Sequence, residues 1–440
     1  MLYVGQHRNF PSSHKIKQPS MTNFILFITL VSIFVPIYVY LGYPALLFIL
    51  SKVKQPKTID IADITPKVTM FVSCYNEEDV IEKKIHDCLS IDYPKDKIEF
   101  VFISDGSEDK TDDIIKQHSD KGIRLIRQEG RLGKTSGLNL AMSQTASEIV
   151  VFSDANAMYD PQAIKKLVRN FNDENVGYVV GAALYTDGDE NSAASSENAY
   201  WEYEMALKKM ETQLHSVVGG DGAIYAIRRK LFITLEREDI NDFVNPLQII
   251  AQGYRGAFEP EAKCYEETAG DFEKEGNRKE RIVNRSFRGL MKVKEVMNPF
   301  KTGFFSLEII SHKLLRWLIP VFFFLAAIGS IYLSLANIYI FHIISIVGLS
   351  FLCLALYGQS QAQNNKENIQ PAFYYPYYFM LVNIKSLFGI IAALRGNIQV
   401  TWSTPRDKQG NIQLSNRYKS YRLAFVIVSA GMILYTLGKI

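Results

Sequence analysis

Residues 68–78 read Val-Thr-Met-Phe-Val-Ser-Cys-Tyr-Asn-Glu-Glu. The run Val68–Ser73 has apolar and β-branched residues without strict alternation, which is the pattern of a strand buried on both faces. It breaks into a polar cluster, and Asp79–Leu89 follows with Val80, Ile81, Ile85 and Leu89 at helical spacing. The unit then recurs. Glu99–Ile103 reads as a strand, Asp105-Gly106-Ser107 as a turn and Asp109–Gln117 as a helix. Ile123–Arg127 is a third strand, Lys134–Ser143 a helix and Glu148–Ser153 a fourth strand. Repeated β–α units of this kind predict an α/β domain with a mostly parallel sheet covered by helices.

Sheets of that kind bind ligands at the carboxyl ends of their strands. Three polar clusters stand there: Tyr75-Asn76-Glu77, Ser104-Asp105-Gly106-Ser107 and Ser153-Asp154-Ala155-Asn156. A single Asp at a strand exit is as often the N-cap of the next helix. Three at successive exits point to a site. Gly133-Lys134 adds a glycine that lets backbone come close and a lysine at a helix start, where a phosphate can sit. Neither G-x-x-x-x-G-K-[ST] nor G-x-G-x-x-G is present, which leaves a P-loop or a dinucleotide fold unsupported.

The 440 residues allow one large domain plus membrane segments. A formal net charge of +3, with no basic stripe interleaved with aromatics, gives no case for a nucleic-acid partner. Cys74, Cys88, Cys264 and Cys353 form no C-x-x-C pair and no metal or disulfide spacing. They suit a reducing compartment, with the first three as buried thiols.

After an N-terminal segment, residues 1–23, Phe24–Leu50 runs 27 residues without a charge, long enough to span a bilayer. It lacks a small-residue cleavage site and reads as a retained anchor. Leu318–Leu335 and Ile338–Tyr357 form a pair of spans around a tight turn near Asn337, and Leu423–Leu437 a last one. Thr302–Arg316 is expected to lie in the interface. Tyr374–Leu394 carries Asn383 and Lys385 at mid-segment and opens on a tyrosine cluster, which favours an interfacial helix over a fifth span. Lys and Arg flanking the spans favour four spans with the central domain inside and both termini outside. The location expected is a bacterial inner membrane, with membrane lipids around the helices and the domain on the cytoplasmic face.

Taken together, Tyr75-Asn76-Glu77, Asp105-Gly106-Ser107, Gly133-Lys134, Asp154-Ala155-Asn156, Gly219-Gly220-Asp221-Gly222, Asp242 and Arg278-Lys279-Glu280-Arg281 resemble, in order and spacing, the membrane-bound family 2 inverting glycosyltransferases that include cellulose, chitin and hyaluronan synthases. The resemblance covers residues 66–300, and more loosely the membrane segments to about 406. It implies a GT-A-type nucleotide-sugar-binding domain flanked by transmembrane and interfacial helices.

By that resemblance Tyr75, Glu77 and Asp105 hold the base and ribose of a nucleotide-sugar donor, UDP-linked in the family. Lys134 sits by the ribose or diphosphate. Asp154 opens the family's D-x-D and meets the ribose or a divalent metal, Mg²⁺ or Mn²⁺, that offsets the charge growing on the leaving diphosphate. Asn156 stands where a second Asp is common, and its amide oxygen is a weaker ligand. The family's acidic pair lies upstream of Gly-Tyr-Arg. Here Asn241 replaces the first acid, and Asp242 precedes Gly253 by eleven positions. This makes Asp242 the base that takes the acceptor's hydroxyl proton; Asp239 as base, or Asp242 as a helix N-cap, are the competing readings. Gly220, Asp221 and Gly222 match the acceptor-side loop.

Arg281 matches the Arg of Q-x-x-R-W, where it contacts the diphosphate, with Arg278 for the Gln and Ile282 for the Trp. The same stretch also reads as a plain basic helix face near a membrane. Residues 399–406, with Thr401, Trp402 and Arg406, stand where cellulose synthase has its gating loop. The expected activity is transfer of a sugar to a hydroxyl of a growing polysaccharide, coupled to export. Transfer of one sugar to a lipid-linked acceptor is the alternative, and a catalytically inactive scaffold the third reading.

Overall fold

A computed structural model of the chain describes residues 21–185, 192–266, 272–363 and 369–398. Eight strands form one sheet: β1 (Val68–Cys74), β2 (Ile98–Ser104), β3 (Ile123–Arg127), β4 (Ile149–Asp154), β5 (Met158–Tyr159), β6 (Val176–Tyr185), β7 (Tyr225–Arg228) and β8 (Arg255–Glu266). Their order is β3-β2-β1-β4-β7-β6-β8-β5. The first four strands pair in parallel, as their β–α alternation requires. Beyond β4 the sheet is mixed: β4–β7, β6–β7 and β5–β8 are antiparallel, and β6–β8 is parallel. The expected parallel majority is therefore four pairings against three.

Every residue of β1 is buried, because the sheet has a core on each face. Val68, Met70, Val72 and Cys74 point into one core, with Ile81, Ile85 and Cys88 of the helix Ile81–Ser90. Phe71 points into the other, with Phe152, Tyr225 and Leu138 of the helix Lys134–Ser143. Each such side chain contributes about 1.5–3 kcal/mol by leaving water. The parallel register sets Ser73 beside Asp154 and Cys74 beside Ser104. Tyr75, Asp105 and Asp154 thus leave the sheet at one edge.

Among the described residues, four helices are long and apolar enough to cross a membrane: Met21–Val53, Phe304–Leu335, Ile340–Gln363 and Pro371–Leu394. The interfacial segment expected at 302–316 and the span expected at 318–335 are one helical run from Phe304, passing through a π-helical turn at Ile310–Leu314. The polar residues that suggest an interfacial face are turned inward. His312 is buried and its ring meets Glu211 at 2.6 Å and Glu204 at 3.1 Å, while Arg316 pairs with Glu204. Asn337, at φ 62°, makes the turn between the second and third of these helices. Lys385 reaches Asn277 (2.6 Å) and Glu280 (3.0 Å) on the helix Phe272–Lys292. The segment 399–406, with Thr401, Trp402 and Arg406, and the span expected at 423–437 lie outside the described residues.

Candidate active site

The loops leaving β1 and β2 are laced together by their own polar groups. Asn76 adopts a left-handed φ of 51°, donates its N–H to Ser107 Oγ and accepts from Glu108 N with its side-chain oxygen. Glu77 N donates to Thr111 Oγ1 at 2.8 Å, and the Glu77 side chain is buried. Tyr75, also buried, carries the Arg131 guanidinium 3.9 Å above its ring. Gly106 is required where it stands: φ is 72°, and a methyl group on it would meet the Gly130 backbone at 2.8 Å.

Asp105 is 1% exposed. Its Oδ1 accepts from Leu132 N (2.8 Å), Gly133 N (2.7 Å) and Gln128 Nε2 (2.7 Å), which ties the third strand's exit loop to the site. Its Oδ2 is shut from water and has no protein partner. Burial holds this carboxyl above its ordinary range, against the pull of the Gly133 and Leu132 N–H groups and of Arg131.

The loop Gly219–Gly222 brings the remaining groups together. A methyl group built on Gly222 would lie 3.1 Å from Asp242 Oδ2, 3.5 Å from Asp154 Oδ2 and 3.7 Å from Lys134 Nζ. Two carboxylates and an ammonium from three distant parts of the chain therefore face one small volume. Lys134 opens the helix Lys134–Ser143, with Gly133 (φ 93°) at its cap, and pairs with Asp154 Oδ1 at 2.5 Å. Asp242 lies in the first turn of the helix Asn241–Ala251, whose cap residue is Ile240. It is not the N-cap. Gly220 supports it from behind, donating its N–H to the Asp242 carbonyl. Asp221 is 3.8 Å from Lys208. Replacing Gly222 with Ala puts a methyl among these three groups without straining the fold. The Asp242 carboxyl must then give by a few tenths of an ångström, so turnover is expected to fall about tenfold, less than the roughly 100-fold cost of a full ångström, at an unchanged melting temperature. Unaltered steady-state kinetics would remove this loop from the site.

Burial raises the Asp242 carboxyl above its usual range, with Asp221 and Asp154 adding to the shift and Lys134 and Arg285 opposing it. Its Oδ1 is buried and without a partner. Asp239 differs: Lys292 Nζ (2.7 Å) and Glu236 N (2.8 Å) both bond its Oδ2. Asn241 donates to the hydroxyl of Tyr225, which stacks on Phe152 at 4.5 Å.

One face of the helix Phe272–Lys292 turns to this volume. Arg281 is pushed down to about 10, by burial first and by Arg285 and Arg278 beside it, while Asp154 and Asp242 act the other way. Arg285 donates to the carbonyls of Glu238 and Asp239 and to Thr135 Oγ1. Arg288 lies 3.5 Å from Glu238. Of the basic residues on this helix, Arg285 and Arg288 make these internal contacts, whereas Arg278 and Lys279 pair with Glu275 one turn earlier. Sequence reasoning missed Arg285 as a brace, and it missed Glu266 at the end of β8, which burial pushes up to about 7 with help from Asp154 and Asp221. Neither has a local signal; both matter through residues far away in the chain.

Among the described residues, no three Asp, Glu, His or Cys side chains form a cage for a metal ion. A divalent ion held on a diphosphate needs only one or two carboxylates, with phosphate oxygens and water supplying the rest. Asp154 fits, since its side chain is 37% exposed. Asn156 is half-buried in the turn between β4 and β5.

Residues 69–235 match the family described as glycosyl transferase family 2. A poly-β-1,6-N-acetyl-D-glucosamine synthase of Staphylococcus aureus is 27% identical over 206 residues, 45% of this chain and 49% of that protein. YdaM of Bacillus subtilis is 32% identical over 122 residues, 26% of this chain and 29% of that protein. The chain thus spans half or less of these relatives' lengths. A solved mannosyltransferase from Pyrobaculum calidifontis, in complex with GDP-Man and Mn²⁺, has the same fold: the TM-score is 0.62 over 83% of this chain and 99% of that one, at 21% identity.

Proposed function

We propose that this chain, whose residues 69–235 match glycosyl transferase family 2, is a glycosyltransferase that transfers a sugar from a UDP-linked donor to a hydroxyl of a growing polysaccharide at a membrane. The observation that carries the reading is the meeting of Asp154, Asp242 and Lys134 over Gly222. The chemistry needs a base for the acceptor and positive charge for the leaving group, and both stand within a few ångströms.

In this mechanism the acceptor oxygen attacks the anomeric carbon from the Asp242 side. Oδ1 or Oδ2 takes the hydroxyl proton as the new C–O bond forms. The bond from carbon to the diphosphate oxygen breaks, its electron pair leaves with the nucleoside diphosphate, and the configuration inverts. Lys134 and Arg281 face the departing charge. Asp154 and Asn156 would hold a divalent cation, which would supply Lewis-acid stabilisation of the diphosphate. Tyr75, Glu77 and the free Oδ2 of Asp105 take the base and ribose. Asp221 and the two glycines beside it seat the acceptor.

The four apolar helices support a membrane-bound enzyme with its domain on the cytoplasmic face, where nucleotide-sugars are. Ile282 in place of the synthases' Trp favours a second reading, one sugar added to a lipid-linked acceptor. The test is the purified full chain in detergent, given UDP- and GDP-linked sugars with Mg²⁺ or Mn²⁺. Acceptor-dependent release of UDP and a product ladder support the polymer. A product one sugar longer than its acceptor supports the second reading. No release from any donor, in the presence of carbohydrate and lipid-linked acceptors, overturns both.

The raised Asp242 carboxyl sets the pH dependence. The base works only when ionised, so kcat/KM should rise with pH through a limb above about 4, the ordinary carboxylate value. Asp221 contributes to the shift, so Asp221→Asn should move that limb to lower pH. A pH–rate profile checks both. A limb that stays in place in the variant would contradict the assignment.

A further inference from the structure

A cavity of about 450 Å³, lined by none of Asp154, Asp242 and Lys134, lies where the helix Met21–Val53 ends and the helix Phe304–Leu335 begins. Lys54, Lys57 and Lys301 line it, with His215, Tyr254 and Phe304. Lys301 pairs with Glu295 at 2.9 Å. Among the described residues, Lys54 and Lys57 have no ion-pair partner. The Lys54 ammonium lies over the Phe304 ring at 5.3 Å, and Lys57 feels the buried Glu308 only through space. Beside them His215 is pushed down to about 4, by burial first and then by Lys57 and Arg255.

Apolar side chains stand exposed beside these lysines. Val53 is 77% exposed and precedes Lys54; Phe300 is 98% exposed and precedes Lys301. Phe48 and Ile49, a turn earlier on the first helix, are each 56% exposed. A ligand that uses both features has a negative head and hydrocarbon tails. A soluble phosphate compound would use the lysines alone.

We propose that this cavity binds the phosphate of an anionic phospholipid headgroup, with Lys54 and Lys57 on the phosphate and the acyl chains against Phe48, Ile49, Val53 and Phe300. The site ties the enzyme to membrane composition.

The test uses the full chain in detergent, titrated with phosphatidylglycerol or phosphatidylcholine and read by native mass spectrometry. Phosphatidylglycerol should be retained in preference. The double variant Lys54→Gln/Lys57→Gln should bind it roughly tenfold or more weakly, given the attraction of a juxtamembrane lysine to an anionic lipid. Lys54→Arg/Lys57→Arg should keep it, which separates loss of charge from loss of folding. Excess glycerol phosphate should not displace the lipid. Equal retention of the two lipids, or full binding by the Gln variant, overturns the site. Displacement by glycerol phosphate assigns it to a soluble phosphate and overturns the lipid. Flotation with phosphatidylcholine vesicles tests membrane association by itself. Failure to float overturns both readings, whereas flotation with unselective lipid binding overturns only the site.

Discussion

Asp242→Asn is expected to slow sugar transfer by about 10²–10⁴-fold, the range over which a positioned general base contributes, while donor binding and the melting temperature stay near those of the parent. The amide has the carboxylate's shape and fits the first turn of the helix Asn241–Ala251, but it cannot accept the acceptor's proton. Asp239→Asn is the control. Its carboxylate holds Lys292 and the Glu236 N–H, so that change should lower stability more than the chemical rate. Single-turnover product formation, alongside nucleotide titration, separates the two. If Asp242→Asn keeps a rate within tenfold of the parent and Asp239→Asn does not, the base has been misassigned.

The second large effect is structural. Glu211 is fully buried. Its Oε1 accepts from Tyr43 OH at 2.8 Å and meets His312 Nδ1, while its Oε2 accepts from Val218 N at 3.2 Å. One carboxylate therefore joins the first apolar helix, the second apolar helix and the chain entering Gly219–Gly222. Glu211→Ala leaves those donors buried without an acceptor. Removing one member of a buried ionic cluster costs about 3–5 kcal/mol, which lowers the melting temperature by roughly 3–5 °C for a chain of this size. Glu211→Gln keeps one acceptor oxygen and should lose markedly less. Thermal unfolding in detergent provides the measurement. An Ala variant melting within a degree or two of the parent would show that the cluster holds nothing.

The contrast between β1 and this cluster explains what was legible. β1, β2 and β4 announce themselves because burial forces largely apolar runs, and β3, half-buried at the sheet edge, because a helix follows it as one follows β1 and β2. Asp105 and Asp154 stand at strand exits, so their place followed from the same pattern. β6, β7 and β8 lack such a rule: β7 is four residues long, and its neighbours are set by long-range pairing. His312 and Arg316 looked like headgroup residues because the glutamates that claim them lie some hundred positions earlier. The choice of Asp242 over Asp239 came by resemblance. What separates the two side chains physically is Lys292, fifty-three positions from Asp239, and no local spacing records that contact.

The Glu211 junction also bears on whether the domain can be handled alone. A fragment cut to residues 66–300 would keep Glu204 and Glu211 and lose Tyr43, His312 and Arg316. Glu204 would then lose His312 and Arg316, Glu211 would keep only the Val218 N–H of the partners named above, and the face carrying them would have to admit water. The loop beneath Asp242 starts at that face, through Val218. Severing the helices thus disturbs the floor of the catalytic pocket as well as the anchor, and a water-soluble excised domain should be both less stable and poorly active. One buried acid thus joins two apolar helices to the chain that leads into the Gly219–Gly222 loop.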